Sequence, residues 1–346
     1  MDFDPAPTTF DTVLSPDWLG HSLGVAVESV EVIGTVVTVA TKIRMRLGVR
    51  TDDGELEYQD VFLKAMLGEG TLTPRRADIS ATEARFYRDI AAEVGIRHPR
   101  LRYQGIHPDN GHGLLMMDDI QAVGAEFLNV LSVYTDDQAR GSLDQLAKLH
   151  ASHWRGAGLD RHPWLFSRFA DMAANPWRSD SALAGLLADG RADGLTAETT
   201  SVDQVHSSLR ALARRFETEP DTIVHGDSHA GNVYVLEGKS SLVDWQVVQR
   251  THWSIDVAYH IAAVLPPDRR RDQERDLLAY YLDRLSAHGA DAPAFDSALA
   301  DYRRALVYGF YMWAVTMNVA RPITVELTQR LGIAMEDWET ATLLRD

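Results

Sequence analysis

In KIRMRL, residues 42–47, charged and apolar residues alternate strictly, which is the period-2 signature of a half-buried strand. Residues 25–67 read as β throughout. Asp53-Gly54 marks a hairpin turn, and LEYQDVFLKAML (56–67) returns as the next strand. SATEARFYRDIAAEVG (80–95) has a serine start, helix formers and a glycine stop, which predicts a helix. The apolar segment GLLMMDDI (113–120) follows the turn-rich HPDNGHG. Beyond residue 130 the period lengthens to that of helices. Residues 135–154 open on an N-cap signal and put Leu143, Leu146, Leu149 and His150 on one face. Val202, Val205, Leu209, Leu212 and Phe216 form a second apolar stripe over 202–217. Further helices are predicted at 254–265, 271–288 and 296–320, and a small hairpin, NVYVLEGKSSLVDWQ, at 232–246. The pattern gives an α+β chain in two parts. A small β-rich part with one helix covers 1–119, and a larger helical part covers 120–346, joined near Asp118–Ala122.

Composition adds exclusions. The 346 residues are long for one core and comfortable for two. With 45% hydrophobic and 24% charged residues the chain is expected to fold as an ordinary soluble protein. A net charge of −16 makes nucleic acid and anionic membrane surfaces unlikely partners. The absence of cysteine excludes disulfides, thiolate metal sites and cysteine nucleophiles. The start, MDFDPAPTTFDTVLSP, lacks the apolar core of a signal peptide. The longest uncharged stretch, Ala305 to Ala320, falls short of the roughly 20 residues of a spanning helix. A cytoplasmic protein without membrane insertion is expected, and the sequence leaves its oligomeric state open.

Three residues stand out singly. Lys64 has three apolar residues on each side, so it either snorkels from a strand edge or is held inward by a partner. Glu83 lies on the following helix, where the bland reading is a solvated first-turn glutamate. Asp244 ends the apolar run SLV, as turn aspartates often do. The loop VHGDSHAGNVYV (224–235) packs His225, Asp227, His229 and Asn232 into a short glycine-bearing stretch. Taken together these residues fit phosphoryl transfer, which needs a cation on the nucleotide phosphates, hard oxygens for magnesium, and a carboxylate to orient the attacking hydroxyl. Lys64 with Glu83, then Asp227, Asn232 and Asp244, occur in the order that kinases use.

HGDSHAGN resembles the HGDxHxxN signature of the aminoglycoside phosphotransferase superfamily, and LVDW resembles its metal-binding strand end. DWQ, EARFY, DVAYHI (256–261), LAKLHASHW (146–154) and DLLAYYLDRLSAHG (276–289) resemble the ecdysteroid-kinase-like (choline-kinase-like) branch in particular. The resemblance runs from about Val30 to Tyr311. It implies a two-lobed protein-kinase-like fold and an ATP- and magnesium-dependent transfer of the γ-phosphoryl group to a small-molecule hydroxyl. By position it makes Asp227 the catalytic base and Asn232 and Asp244 the magnesium ligands. Lys64 would contact the α/β-phosphates with Glu83 as its partner. The adenine hinge would fall within Leu115–Ile120, at Met117 and Asp118. Asp256 would be a buried acceptor stabilising the catalytic loop, which His225 would also order. One departure stands out. IGTVVTVATK (33–42) keeps only Gly34 where the family's phosphate loop carries several glycines, and the β-branched run stiffens the turn.

Other readings remain open at this point. His225, Asp227, His229 and His252 have the ligand types of a metallohydrolase. The sparse glycine loop would suit another nucleotide donor or a catalytically silent kinase-fold binding protein. For the acceptor, residues 155–178 carry four arginines against two aspartates, plus Trp164, Phe166, Phe169 and Trp177. Most of these aromatics are expected to pack helices, but any that line a site favour a small apolar or mixed alcohol. An aminoglycoside or amino alcohol is the alternative.

Overall fold

The alternation of residues 41–50 and 56–65 builds the centre of a sheet. The computed structural model describes residues 3–68 and 70–345. The chain divides into two units, Met1–Glu93 with His98–Ala125, and Val94–Arg97 with Glu126–Asp346. In the first, α1 (Phe10–Val13) and α2 (Pro16–Leu23) precede β1 (Ala26–Val37), β2 (Thr41–Arg50) and β3 (Leu56–Ala65). Then come α3 (Pro74–Asp89), the short α4 (Ala91–Val94), β4 (Leu101–Ile106) and β5 (Gly113–Asp118). The strands pair antiparallel in the order β1-β2-β3-β5-β4.

Side chains alternate across a strand, so each strand has two fates. Ile43, Met45, Leu47 and Val49 of β2 and Val61, Leu63 and Ala65 of β3 pack with Leu114, Met116, Val13, Trp18 and Leu19 in one core. Lys42, Arg44 and Lys64 are consequently turned to the opposite face, where α3 supplies Glu83.

The helix predicted from Ser80 begins six residues earlier, at Pro74. Thr73 caps it, its side chain accepting the Arg76 N–H, and Pro74 occupies the first position. Ser80 is therefore internal, and its hydroxyl donates to the Ala77 carbonyl. Glu83 is mid-helix and 2% exposed, not a solvated first-turn glutamate.

The second unit holds β6 (Glu126–Phe127), α5 (Asp136–Ser152), α6 (Arg168–Ala174), α7 (Asp180–Leu186), α8 (Val202–Phe216) and β7 (Thr222–Val224). It continues with β8 (Val233–Leu236), β9 (Lys239–Leu242), β10 (Gln249–Thr251), α9 (Ser254–Val264), α10 (Pro267–Ala287), α11 (Phe295–Ala314), α12 (Arg321–Asp337) and α13 (Thr340–Leu343). Helix α5 starts on a capping box of Thr135 and Gln138. The predicted hairpin turns at Glu237-Gly238, both at positive φ, as a two-residue hairpin loop requires.

Helix α9 is buried along its whole length, and α11 over most of its own, because α5, α8, α10 and α12 surround them. Phe169 packs edge-on to Phe216 and Tyr308 in this core, whereas Phe166 is 44% exposed with the Arg168 guanidinium over its ring. Among the described residues no helix is long and apolar enough to cross a membrane.

Candidate active site

The first unit holds an ion pair, a hairpin and a strand end. Lys64 Nζ lies 2.6 Å from Glu83 Oε2, and the two side chains are 8% and 3% exposed. Of the two fates the sequence left to Lys64, the inward one is observed. Gly34 lies within β1, opposite Arg44 and beside a bulge, and the β1–β2 connection is made by Thr38, Val39 and Ala40. The turn is closed by the Thr38 N–H donating to the Ala40 carbonyl, so no glycine forms it. Met117 and Asp118 end β5. Met117 is buried, and the Asp118 carboxylate pairs with Arg102 at 3.0 Å. The neighbouring Asp119, which sequence reasoning missed, caps the following turn through the Gln121 N–H and accepts the Arg44 Nε–H at 2.6 Å.

The second unit holds the loop between β7 and β8. Gly226 has φ +79°, and a Cβ there would sit 2.5 Å from the Val247 carbonyl oxygen, so glycine is required. Asp256, at the start of α9, accepts the His225 N–H (2.6 Å) and the Gly226 N–H (2.8 Å) on its two oxygens. It also accepts from His150 Nε2 (3.1 Å), whose Nδ1 faces the Tyr281 hydroxyl. His225 spends both ring nitrogens locally. Nε2 donates to the Val243 carbonyl (3.0 Å) and Nδ1 accepts the Asp227 N–H (3.1 Å).

The Asn232 side-chain amide donates to the Asp227 carbonyl (2.8 Å) and to Asp227 Oδ2 (3.1 Å), which leaves its own oxygen for another partner. The Asn232 carbonyl accepts the Val243 N–H at 2.9 Å, so Asn232 and the segment leading into Asp244 are tied together. Asp244 itself has φ +69°, a left-handed backbone that aspartate and asparagine adopt more readily than other non-glycine residues.

The Asp227 side chain is 18% exposed, enough to meet a small acceptor. Burial pushes its carboxyl up, but His229, with Nε2 3.7 Å from Oδ2, and His225 pull it down further. The net position is below the ordinary carboxylate value, so the group is an anion near neutrality. The oxygens of Asn232 and Asp244 are hard ligands, the type that magnesium takes. His225 has no ring nitrogen to spare, and His252 stacks on Phe216 with Nδ1 against Ser254, so neither imidazole is presented as a metal ligand. Among the described residues no group of three or more His, Asp or Glu side chains could hold a metal ion.

Two buried histidines, His260 under the loop and His252 against Phe216, make stability pH-dependent. His260 Nδ1 faces the Ser228 carbonyl at 2.6 Å, which can only accept, so the proton resides on Nδ1 and Nε2 accepts from Ser142. Burial depresses the His260 imidazole from 6.5 to about 4, and burial with nearby Arg215 depresses His252 to about 3. The unfolded chain binds protons that the native state refuses. Their contribution is complete above pH 6.5 and is lost as pH falls toward those native values, at ~1.4 kcal/mol per unit for each histidine. We expect the urea midpoint to fall between pH 7 and pH 5, and to fall less in His260→Asn. Equal pH slopes in the two proteins would remove His260 from this account.

The chain matches the ecdysteroid kinase-like family over residues 36–292. The choline/ethanolamine kinase family protein from Mesorhizobium loti is similar in structure, with 17% identity, a TM-score of 0.53, and 96% of this chain and 95% of that one covered. Choline kinase LicA from Streptococcus pneumoniae is similar at 13% identity and a TM-score of 0.52, over 90% of this chain and 94% of that one. Methylthioribose kinase from Geobacillus thermodenitrificans (strain NG80-2) is 29% identical over 83 residues, 24% of this chain. That match spans about a fifth (21%) of the relative's length. With a β-sheet N-terminal region and a helical C-terminal region, the fold is kinase-like, and the chain belongs to the ecdysteroid kinase-like family.

Proposed function

We propose that the protein is a magnesium-dependent kinase that transfers the γ-phosphoryl group of ATP to a hydroxyl of a small molecule. The observation that carries this reading is the Asp227 anion, held by Asn232 on the same loop that ties Asn232 to the approach of Asp244. As the acceptor oxygen bonds to the γ-phosphorus and the bond to ADP breaks, Asp227 takes the hydroxyl proton. Lys64, held by Glu83, meets the α/β-phosphates. Asn232 and Asp244 would hold magnesium, which when bound neutralises charge on the phosphates. Met117 and Asp118 mark the hinge for adenine, and Gly34 belongs to the hairpin expected over the phosphates. Asp256 and His225 order the loop without touching the reacting atoms.

The acceptor is read as an alcohol on a small apolar or mixed metabolite. Exposed Phe166, with the Arg168 guanidinium over its ring, supports this reading as a local apolar and cationic feature of residues 155–178, of the kind that suits a polycationic aminoglycoside poorly. ATP as donor places the reaction in the cytoplasm.

The test is ADP release with Mg·ATP against a panel of hydroxyl compounds, headed by choline, ethanolamine and methylthioribose because those name the relatives. Magnesium-dependent release that one acceptor raises well above slow background hydrolysis by water is expected. Magnesium-dependent nucleotide binding without turnover on any compound would point to a silent binding protein. Stoichiometric zinc on the purified protein would point to a hydrolase.

A further inference from the structure

The Asp227 carboxylate has a second holder, far away in sequence. The Tyr259 hydroxyl, on α9, donates to Asp227 Oδ1 at 3.0 Å, and Trp313 Nε1, on α11, donates to the Tyr259 hydroxyl oxygen at 2.6 Å. The direction of both bonds is forced. An indole N–H can only donate, so the Tyr259 oxygen accepts there and its single proton is left for Asp227. Oδ2 is meanwhile held by the Asn232 amide. One neutral donor on each oxygen fixes the rotation of the carboxylate plane.

Helix α11 is shaped around this arrangement. A Cβ at Gly309 would lie 2.7 Å from Tyr259 Cδ2, so a glycine, a poor helix residue, clears the space for the tyrosine ring. Four residues on, the same face of the helix presents Trp313. Beside Gly309, the Tyr308 hydroxyl donates to the Gly226 carbonyl at 2.6 Å. The end of α11 is itself fixed, because the buried Arg191 donates to the carbonyls of Trp313, Ala314 and Thr316. The other charged or titratable groups around Asp227 are His225, His229 and Asp244.

We propose that Trp313 and Tyr259 form a hydrogen-bond relay that aims the Asp227 carboxylate, making both of them positioning residues for phosphoryl transfer. This rests on Asp227 being the base. Neither residue supplies a charge or takes the proton. Tyr259 holds Oδ1 directly, and Trp313 acts only through Tyr259 by dictating where the hydroxyl proton points. Loss of the relay lets the carboxylate rotate, which costs turnover and leaves nucleotide binding intact.

The experiment measures Mg·ATP hydrolysis with water as acceptor, on the full chain, for wild type and for Asp227→Asn, Tyr259→Phe, Trp313→Phe and the double variant Tyr259→Phe/Trp313→Phe. Melting temperature and Mg·ADP binding are followed for each, so that a folding defect is visible. Tyr259→Phe is expected to lower kcat about 10- to 100-fold, the scale of a misplaced catalytic group, with KM for Mg·ATP within about twofold. Trp313→Phe should lower kcat less, and the double variant should match Tyr259→Phe, because the tryptophan has no other route to the base. Wild-type kcat in Tyr259→Phe beside an inactive Asp227→Asn overturns the relay and leaves the base assignment standing. Multiplicative losses in the double variant overturn the order of the relay. Full activity in Asp227→Asn, or a wild type that binds Mg·ATP and turns it over with neither water nor any compound of the acceptor panel, overturns the kinase reading and the relay with it.

Discussion

Replacing Asp227 by asparagine is expected to reduce kcat by about 10²- to 10⁴-fold, the range that a positioned general base contributes. The substitution keeps the size of the side chain and most of its neighbours. Its cost to the fold is a mismatch of donors. Asp227 Oδ2 accepts from Asn232 and Oδ1 from Tyr259, and an amide can offer an acceptor to only one of them. Turned with its oxygen toward Asn232, the new amide leaves the Tyr259 proton without its acceptor, a loss of about 1 kcal/mol. The variant should therefore melt slightly lower, bind Mg·ADP as before, and turn over very slowly. Calorimetry and kcat on the same preparation separate the two effects. Near-wild-type kcat would sink the assignment of Asp227 as base.

What could be read in advance follows the range of the interactions involved. Strand β2 was legible because alternation is local. KIRMRL already contains both fates of its side chains, and Ile43, Met45 and Leu47 are in the core as their spacing requires. The start of α5 was legible for the same reason, since Thr135 and Gln138 cap each other within four residues. The start of α3 was misread because Ser80 offered a second plausible cap, and Thr73-Pro74 stood outside the apolar periodicity. That error carried through to Glu83, which the shorter helix would have left in a solvated first turn. Helix α12 was missed altogether. Proline in its first turn is its one local start signal, no side chain caps it, and it packs against α9 and α11.

The loop carrying Asp227 was legible as a cluster of polar side chains and not as a structure. A sequence shows that His225, Asp227 and Asn232 are close, but not that the Asn232 amide turns its nitrogen to Asp227. Tyr259, Trp313 and Arg191 gave no signal that separated them from core residues. Their partners lie tens of residues or more along the chain, and only the folded helices bring the donors and acceptors together. Asp119 was masked by its neighbour, since two aspartates in a row at a strand end read alike until one of them is seen against Arg44.

Breaking the Lys64–Glu83 pair is expected to cost both stability and nucleotide affinity, and the burial of the pair raises the stability share. Exposed ion pairs contribute ~0–1 kcal/mol. Here the ammonium and carboxylate are 2.6 Å apart at 8% and 3% exposure, so removing one member takes this counter-charge from the other in a poorly solvated place. Such losses run to ~3–5 kcal/mol. Glu83→Ala takes from a buried ammonium the carboxylate 2.6 Å away that positions it, and should lower the melting temperature and weaken nucleotide binding together. Lys64→Met leaves a buried carboxylate instead, but restores apolar volume on the strand. It should therefore be the more stable of the two single variants and equally poor with nucleotide. In the double variant both charges of the pair are gone. Its stability should recover toward wild type while its nucleotide affinity and kcat remain as low as in either single variant, a coupling that additive residues cannot produce. The measurements are urea unfolding, Mg·ADP affinity and kcat for all four proteins. Strictly additive stability losses, or unchanged activity in Glu83→Ala, would show that the pair does not act as a unit and would take Lys64 out of the phosphate-binding role.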